Sequence, residues 1–166
     1  MDTTDPRIEE LRRAAVADPR NGEVRYLLGV ELAQQRQYDQ AVLELSAAVA
    51  LNPLLHTARL QLGLLHLTMA QPDHATQVLA PLESLDDQSA LKHFKRGLEA
   101  LAVDDFNAAI ENLAHGIELN RENAPLNGDM QMLLERIRRA LSTQSTPPED
   151  PEREHTDFSL YGVTRH

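Results

Sequence analysis

The sequence predicts an all-α protein, a solenoid built from helical hairpins, and three observations lead there. Gly29, Gly63 and Gly97 are spaced 34 residues apart, and Ala41, Ala75 and Ala109 keep the same step. Leu45, Leu79 and Leu113 repeat it, as do Leu51, Leu85 and Leu119, with bulky or ring residues at Tyr38, Pro72 and Phe106. Ala and Leu supply most of the apolar content, with no Trp, three Phe, three Tyr and few Gly. That composition favours closely packed helices, and no alternating β-branched runs argue for strands.

The first element is the segment from Pro6 to Ala17. Stepping back one period from Leu45, Ala48 and Pro53 reaches Leu11, Ala14 and Pro19, so this segment reads as the second helix of a decayed repeat. Asp5 is placed to cap it. In the first full period, Val24, Leu27, Leu28 and Leu32 recur at helical spacing up to about Gln34. Arg36-Gln37 breaks that pattern. Ala41, Leu45, Ala48 and Val49 then mark a second amphipathic helix, which Asn52-Pro53 ends because proline disfavours helical geometry in the residue before it. The second period turns at Gln71-Pro72, where proline fits the first turn of the next helix, and the third turns at Asp104-Asp105-Phe106.

After the third period, Pro125 opens one more helix, with Leu126, Met130, Leu133, Leu134, Ile137 and Leu141 on one side. Asp129, Glu135, Arg136 and Arg139 lie towards the other, as a solenoid end requires. The reading therefore has eight helices. It divides into an N-terminal half-repeat (1–21), three repeats (22–55, 56–89 and 90–123), a capping helix (124–141) and a tail (142–166).

These residues resemble the tetratricopeptide repeat (TPR), with its 34-residue period and spaced Leu-Gly, Ala, Leu, Ala and Pro. Leu28-Gly29, Ala41, Leu45, Ala48 and Pro53 match it. Leu62-Gly63, Ala75 and Leu79 match next, with Leu82 in place of the late Ala and Asp87 in place of Pro. Gly97, Ala109 and Leu113 follow, with Arg96, Gly116 and Arg121 at the remaining signature positions. The resemblance implies a right-handed superhelical solenoid whose first-in-repeat helices line a concave face. It also implies a non-enzymatic protein-interaction module, an adaptor or scaffold. On that face it places an apolar stripe of Tyr26, Val30, Leu60, Leu64, Leu67, Phe94, Leu98 and Leu101, together with Lys95. A patch of that size points to a protein or peptide partner. The family's clamp for a chaperone C-terminal carboxylate needs several Lys and Asn, and Lys95 is the one cation here, so a hydrophobic or amphipathic segment is the expected ligand.

The remaining observations exclude other classes. The net charge is −10, with 16 basic against 26 acidic residues, which disfavours nucleic-acid binding. The chain has no cysteine, hence no disulfide or thiolate metal site. No secretory leader or membrane-spanning run is visible, so the expected location is cytoplasmic. No catalytic constellation, cofactor loop or metal site is expected. His66 and His93 read as packing residues, and His56, His74 and His115 as scattered.

The tail from Ser142 to Thr156 is rich in Ser, Thr, Pro and acid and reads as a flexible linker. Phe158, Leu160, Tyr161 and Val163 then form a candidate docking motif, in cis or in a second copy. Two alternatives accompany the adaptor reading: a self-assembling module that uses this tail as ligand, giving a homo-oligomer, and a small secretion-type chaperone.

Overall fold

The computed structural model describes residues 5–144. It contains α1 (Pro6–Ala17), α2 (Gly22–Gln34), α3 (Tyr38–Leu51), α4 (His56–Thr68), α5 (Pro72–Leu79), a 3-10 segment (Ala80–Ser84), α6 (Ala90–Ala102), α7 (Phe106–Leu119) and α8 (Ala124–Gln144). No strand occurs among the described residues, and none of their helices is long and apolar enough to cross a membrane. The first-in-repeat helices open at residues 22, 56, 90 and 124, so the period seen in the sequence is also the period of the backbone.

The hairpin turns repeat in atomic detail. Arg36, Ala70 and Asp104 all have positive φ, between 57° and 59°. In the first turn the Gln37 N–H donates to the Leu32 carbonyl at 2.9 Å, and the Arg36 N–H donates to the Ala33 carbonyl at 3.0 Å. Gln71 and Ala70 make the same bonds to His66 and Leu67, as Asp105 and Asp104 do to Ala100 and Leu101. This pair of bonds closes a helix C-terminus on a left-handed residue, a position that usually takes glycine. Three non-glycine residues hold it here. In the sequence only the break in periodicity marks these turns, with no glycine to announce the geometry.

Residues 5–78 form one compact unit, and residues 79–144 belong to a second. The boundary falls inside the expected second repeat, 56–89. The first unit packs α1 to α4 around Ile8, Ala15, Leu28, Leu32, Leu45 and Leu65. Gly29 allows α2 and α3 to close up: a Cβ there would lie 2.6 Å from Leu45 Cγ. The Asp5 side chain caps α1 by accepting from the Arg7 N–H at 2.9 Å, as the sequence predicts, and Asn21 caps α2 from Val24 at 3.2 Å.

In the second unit, α6 and α7 form the corresponding hairpin. A Cβ on Gly97 would lie 2.8 Å from Leu113 Cγ, and one on Gly116 would lie 2.5 Å from the Phe94 ring. Asparagines fasten α8 to α7: Asn120 Nδ2 donates to Asn127 Oδ1 at 2.8 Å, and Asn127 Nδ2 donates back to the Asn120 carbonyl at 3.0 Å. Two local details differ from the sequence reading. The outer helix of the second repeat stops at Leu79 and tightens into the 3-10 segment, because Pro81 lacks an N–H and its ring opposes the carbonyl four residues back. The last helix runs on to Gln144, three residues past its expected end.

Candidate functional site

The candidate surface begins with α4. At about 100° per residue, Ala58, Leu62 and Leu65 fall on one side of this helix and Leu60, Leu64 and Leu67 on the other. Leu62 and Leu65 belong to the core of the first unit. Leu60 and Leu64, opposite them, are 0% and 3% exposed, and Leu67 is half-buried. A surface helix needs one apolar stripe, whereas a helix that is apolar all round is covered all round. The residues expected to line an open face are therefore largely shielded from solvent. On the neighbouring α2, Tyr26 and Val30 are half-buried and pack against the core of the first unit.

In α6 the expected residues divide by role. Phe94 is fully buried and its ring lies over Gly116, so it fills the seam between α6 and α7. Leu98 is fully buried and Leu101 is 9% exposed. Lys95, expected to be the one cation of the face, is buried at the centre of an ion cluster. Its Nζ lies 2.7 Å from Glu83 and 2.8 Å from Glu99. Arg96 reaches the other Glu83 oxygen at 2.7 Å, and Lys92 pairs with Asp87 at 2.7 Å. Hydrogen bonds from Arg96 and then Lys95 hold the Glu83 carboxyl down at a pKa of about 2. Burial pushes the Lys95 ammonium down, but Glu83 and Glu99 outweigh it and leave its pKa above the ordinary lysine value. The cluster ties the 3-10 segment to α6.

Four of the histidines meet in two ring pairs. His66 Nδ1 lies 2.8 Å from Gln71 Oε1, and its ring stacks on His74 with centroids 5.4 Å apart. His93 meets His115 edge to face at 4.4 Å, and its Nε2 donates to the Asp87 carbonyl at 2.8 Å. No group of three or more potential metal ligands occurs among the described residues.

Sequence reasoning also missed a cleft of about 480 Å³ where α1 meets α2 and α3, with Arg12, Val16, Pro19, Arg25 and Glu44 on its walls. Its cations are already paired, Arg12 with Gln40 at 2.7 Å and Arg25 with Glu44 at 2.9 Å. The signal was present in the register. One period on, Ser46, Val49 and Val78 stand where Arg12, Ala15 and Glu44 stand here. The tail motif Phe158, Leu160, Tyr161 and Val163 lies outside the described residues.

Two solved structures share the arrangement. One, described as a MamA RS-1 ArsTM double mutant, aligns with a TM-score of 0.54 and 17% identity over 82% of this chain and 85% of its own. The other, MamA from residue 41 to the end from Desulfovibrio magneticus RS-1, gives 0.54 and 18% over 84% and 86%. The fold is a TPR-like helical repeat. No protein-family profile matches the chain, and no curated protein matches it in sequence. At such low identity the likeness concerns the fold alone.

Proposed function

We propose that this TPR-like chain is a non-enzymatic adaptor that holds a hydrophobic or amphipathic segment of a partner protein against its first-in-repeat helices. The observation that supports this reading is the set of half-buried apolar residues at the first-in-repeat register, Tyr26 and Val30 on α2 and Leu67 on α4. These positions lie at the register that lines the ligand face in the repeat the chain resembles. Tyr26 and Val30 supply the portion of the face on α2. The cations near this register are taken up internally, so side-chain burial rather than charge is the source of affinity.

The reading is tested with the full chain and a displayed library of peptides rich in aromatic and aliphatic residues, with binding followed by fluorescence anisotropy. Val30→Asp and Leu67→Asp alter half-buried positions, and helical circular dichroism of each variant checks that it is folded before its binding is read. Each is expected to weaken a selected peptide by roughly tenfold or more, the loss of one buried anchor. Absence of any selected binder, or binding that ignores both substitutions, would overturn the proposal.

A further inference from the structure

We infer that residues 83–89 form a strap fastened to α6 by charge, which opens as ionic strength rises and bares Lys92 and Lys95 while α6 and α7 stay formed.

The strap stands at a joint that is apolar one period away in both directions. Val49, Ala58 and Leu62 occupy the equivalent positions one period earlier, and Ile117, Leu126 and Met130 one period later. Val49 packs on the core that contains Leu62, and Ala58, Leu126 and Met130 are buried. Glu83, Lys92 and Arg96 take those three places here. The exchange is concerted: an acid replaces one apolar residue, and cations replace the other two.

Lys92 and Lys95 are also the only lysines of the chain, its other basic residues being arginines. They are 8% and 6% exposed. The fastenings that bury them are polar. Glu83 Oε2 meets Lys95 Nζ at 2.7 Å, and Glu83 Oε1 meets Arg96 at 2.7 Å and Lys92 at 3.9 Å. Lys92 Nζ also reaches Asp87 at 2.7 Å, so one ammonium joins both acids of the strap to α6. His93 Nε2 donates to the Asp87 carbonyl at 2.8 Å. Leu85 is the one apolar residue of the strap and is half-buried, while Leu82, fully buried just before it, pins its start.

Such a joint opens at lower cost than its apolar equivalents. Parting Val49 from the first core would bring apolar surface into water, which opposes opening. Parting Glu83 and Asp87 from α6 brings ammonium groups into water, which hydrates them strongly. The attraction that holds the strap runs to side chains that are themselves 46% and 81% exposed, so dissolved ions screen it. Segments with few buried apolar contacts are the ones that open locally ahead of the whole domain.

The two lysines make the test direct. Reductive methylation marks lysine amines and keeps their charge, and mass spectrometry assigns the product to Lys92 or Lys95. In the unaltered full chain, salt is raised from about 0.01 M to about 1 M, which shortens the Debye length from roughly 30 Å to roughly 3 Å. Labelling of both lysines is expected to rise by roughly tenfold relative to a short lysine peptide in the same tube, with helical circular dichroism unchanged. Labelling that ignores salt overturns the proposal, and so does labelling that appears only as the helical signal is lost.

Glu83→Gln is expected to be labelled at low salt as fast as the parent is at high salt. A folded Glu83→Gln chain that keeps the parent's slow, salt-dependent labelling overturns the proposal. Amide hydrogen exchange needs no substitution. The N–H groups of Leu85, Gln88 and Ser89 are hydrogen-bonded in the closed strap, and high salt is expected to speed their exchange while residues 106–119 keep theirs. Unchanged exchange in the strap, or equal acceleration across α7, overturns the proposal.

Discussion

The hairpins α2–α3 and α6–α7 share a register to the residue and are held together differently. In both, a glycine of the first helix meets a leucine of the second, Gly29 with Leu45 and Gly97 with Leu113. Half a helix away they diverge. The first hairpin carries a half-buried Tyr26 and a fully buried Ala48, whereas the second carries Phe94, fully buried, and Gly116 beneath its ring. The polar fastenings diverge too. Arg25 and Glu44 make one pair across α2 and α3, while Lys92, Lys95 and Arg96 of α6 gather around Glu83 of the 3-10 segment, with Glu99 alongside. The period fixes where backbones approach. The side chains that fill the space are settled pair by pair, a larger ring balanced by a smaller neighbour.

The sharpest way to break this comparison is to give the second hairpin the residue used by the first. Gly116→Ala would place a Cβ 2.5 Å from two atoms of the Phe94 ring and 3.2 Å from the Ala90 carbonyl oxygen. The ring is fully buried. Overpacking of this kind costs about 1–3 kcal/mol, more than the roughly 1 kcal/mol of helix propensity that alanine gains over glycine. A net loss of about 1 kcal/mol in denaturant unfolding is expected. Phe94→Leu in the same chain should make the pair of changes markedly less harmful than the sum of the two. Strict additivity would mean that the ring and the glycine are not balanced against each other.

The three hairpin turns offer a smaller and opposite effect. Arg36, Ala70 and Asp104 all adopt left-handed geometry, which costs an ordinary L-residue about 1–2 kcal/mol relative to glycine. Aspartate tolerates it better than alanine because its short polar side chain bonds locally. Ala70→Gly is therefore expected to raise stability by about 1 kcal/mol, or roughly 2–4 °C in Tm. Asp104→Gly should raise it less. Thermal unfolding of the two variants checks the order, and equal gains would show that the aspartate does not ease its turn.

Much of the fold was legible because helix starts follow the spacing of small residues, and Gly29, Ala41 and Leu45 with their repeats state that spacing directly. The left-handed turns were not legible, since Arg36 and Ala70 are not residues that announce positive φ. The shortened α5 could have been read from Pro81 alone, which the dominant period obscured. For the site, the stripe on α4 was legible, but which of its sides meets the core was not. A helix apolar all round gives the same periodic signal for either orientation. Lys95 was misleading for a different reason: its partner Glu83 lies 12 residues earlier in a non-periodic segment, so no local pattern tied the two together. Phe94 carried a readable clue, because Gly116 stands at the alanine position one helix away.

The ion cluster gives the smallest expected effect and the one most specific to the second hairpin. Glu83 has a folded-state pKa of about 2 against an ordinary value of 4.5, owing first to its hydrogen bond from Arg96 and then to that from Lys95. A carboxyl whose folded pKa is depressed adds stability in full above its unfolded value, and that stability is lost as pH falls through the folded one. The window here runs from about pH 4.5 down to about pH 2. Glu83 is nearly half exposed, so solvent screens the interaction and its contribution is modest. Glu83→Gln removes the titrating group but keeps the shape. It is expected to lower stability slightly at neutral pH and to flatten the acid limb of a stability–pH curve across that window, and added salt should narrow the gap between the two proteins. If variant and parent lose stability in parallel from pH 4.5 to pH 2, the cluster contributes nothing to acid sensitivity, and the second hairpin stands on its Phe94–Gly116 and Gly97–Leu113 seams alone.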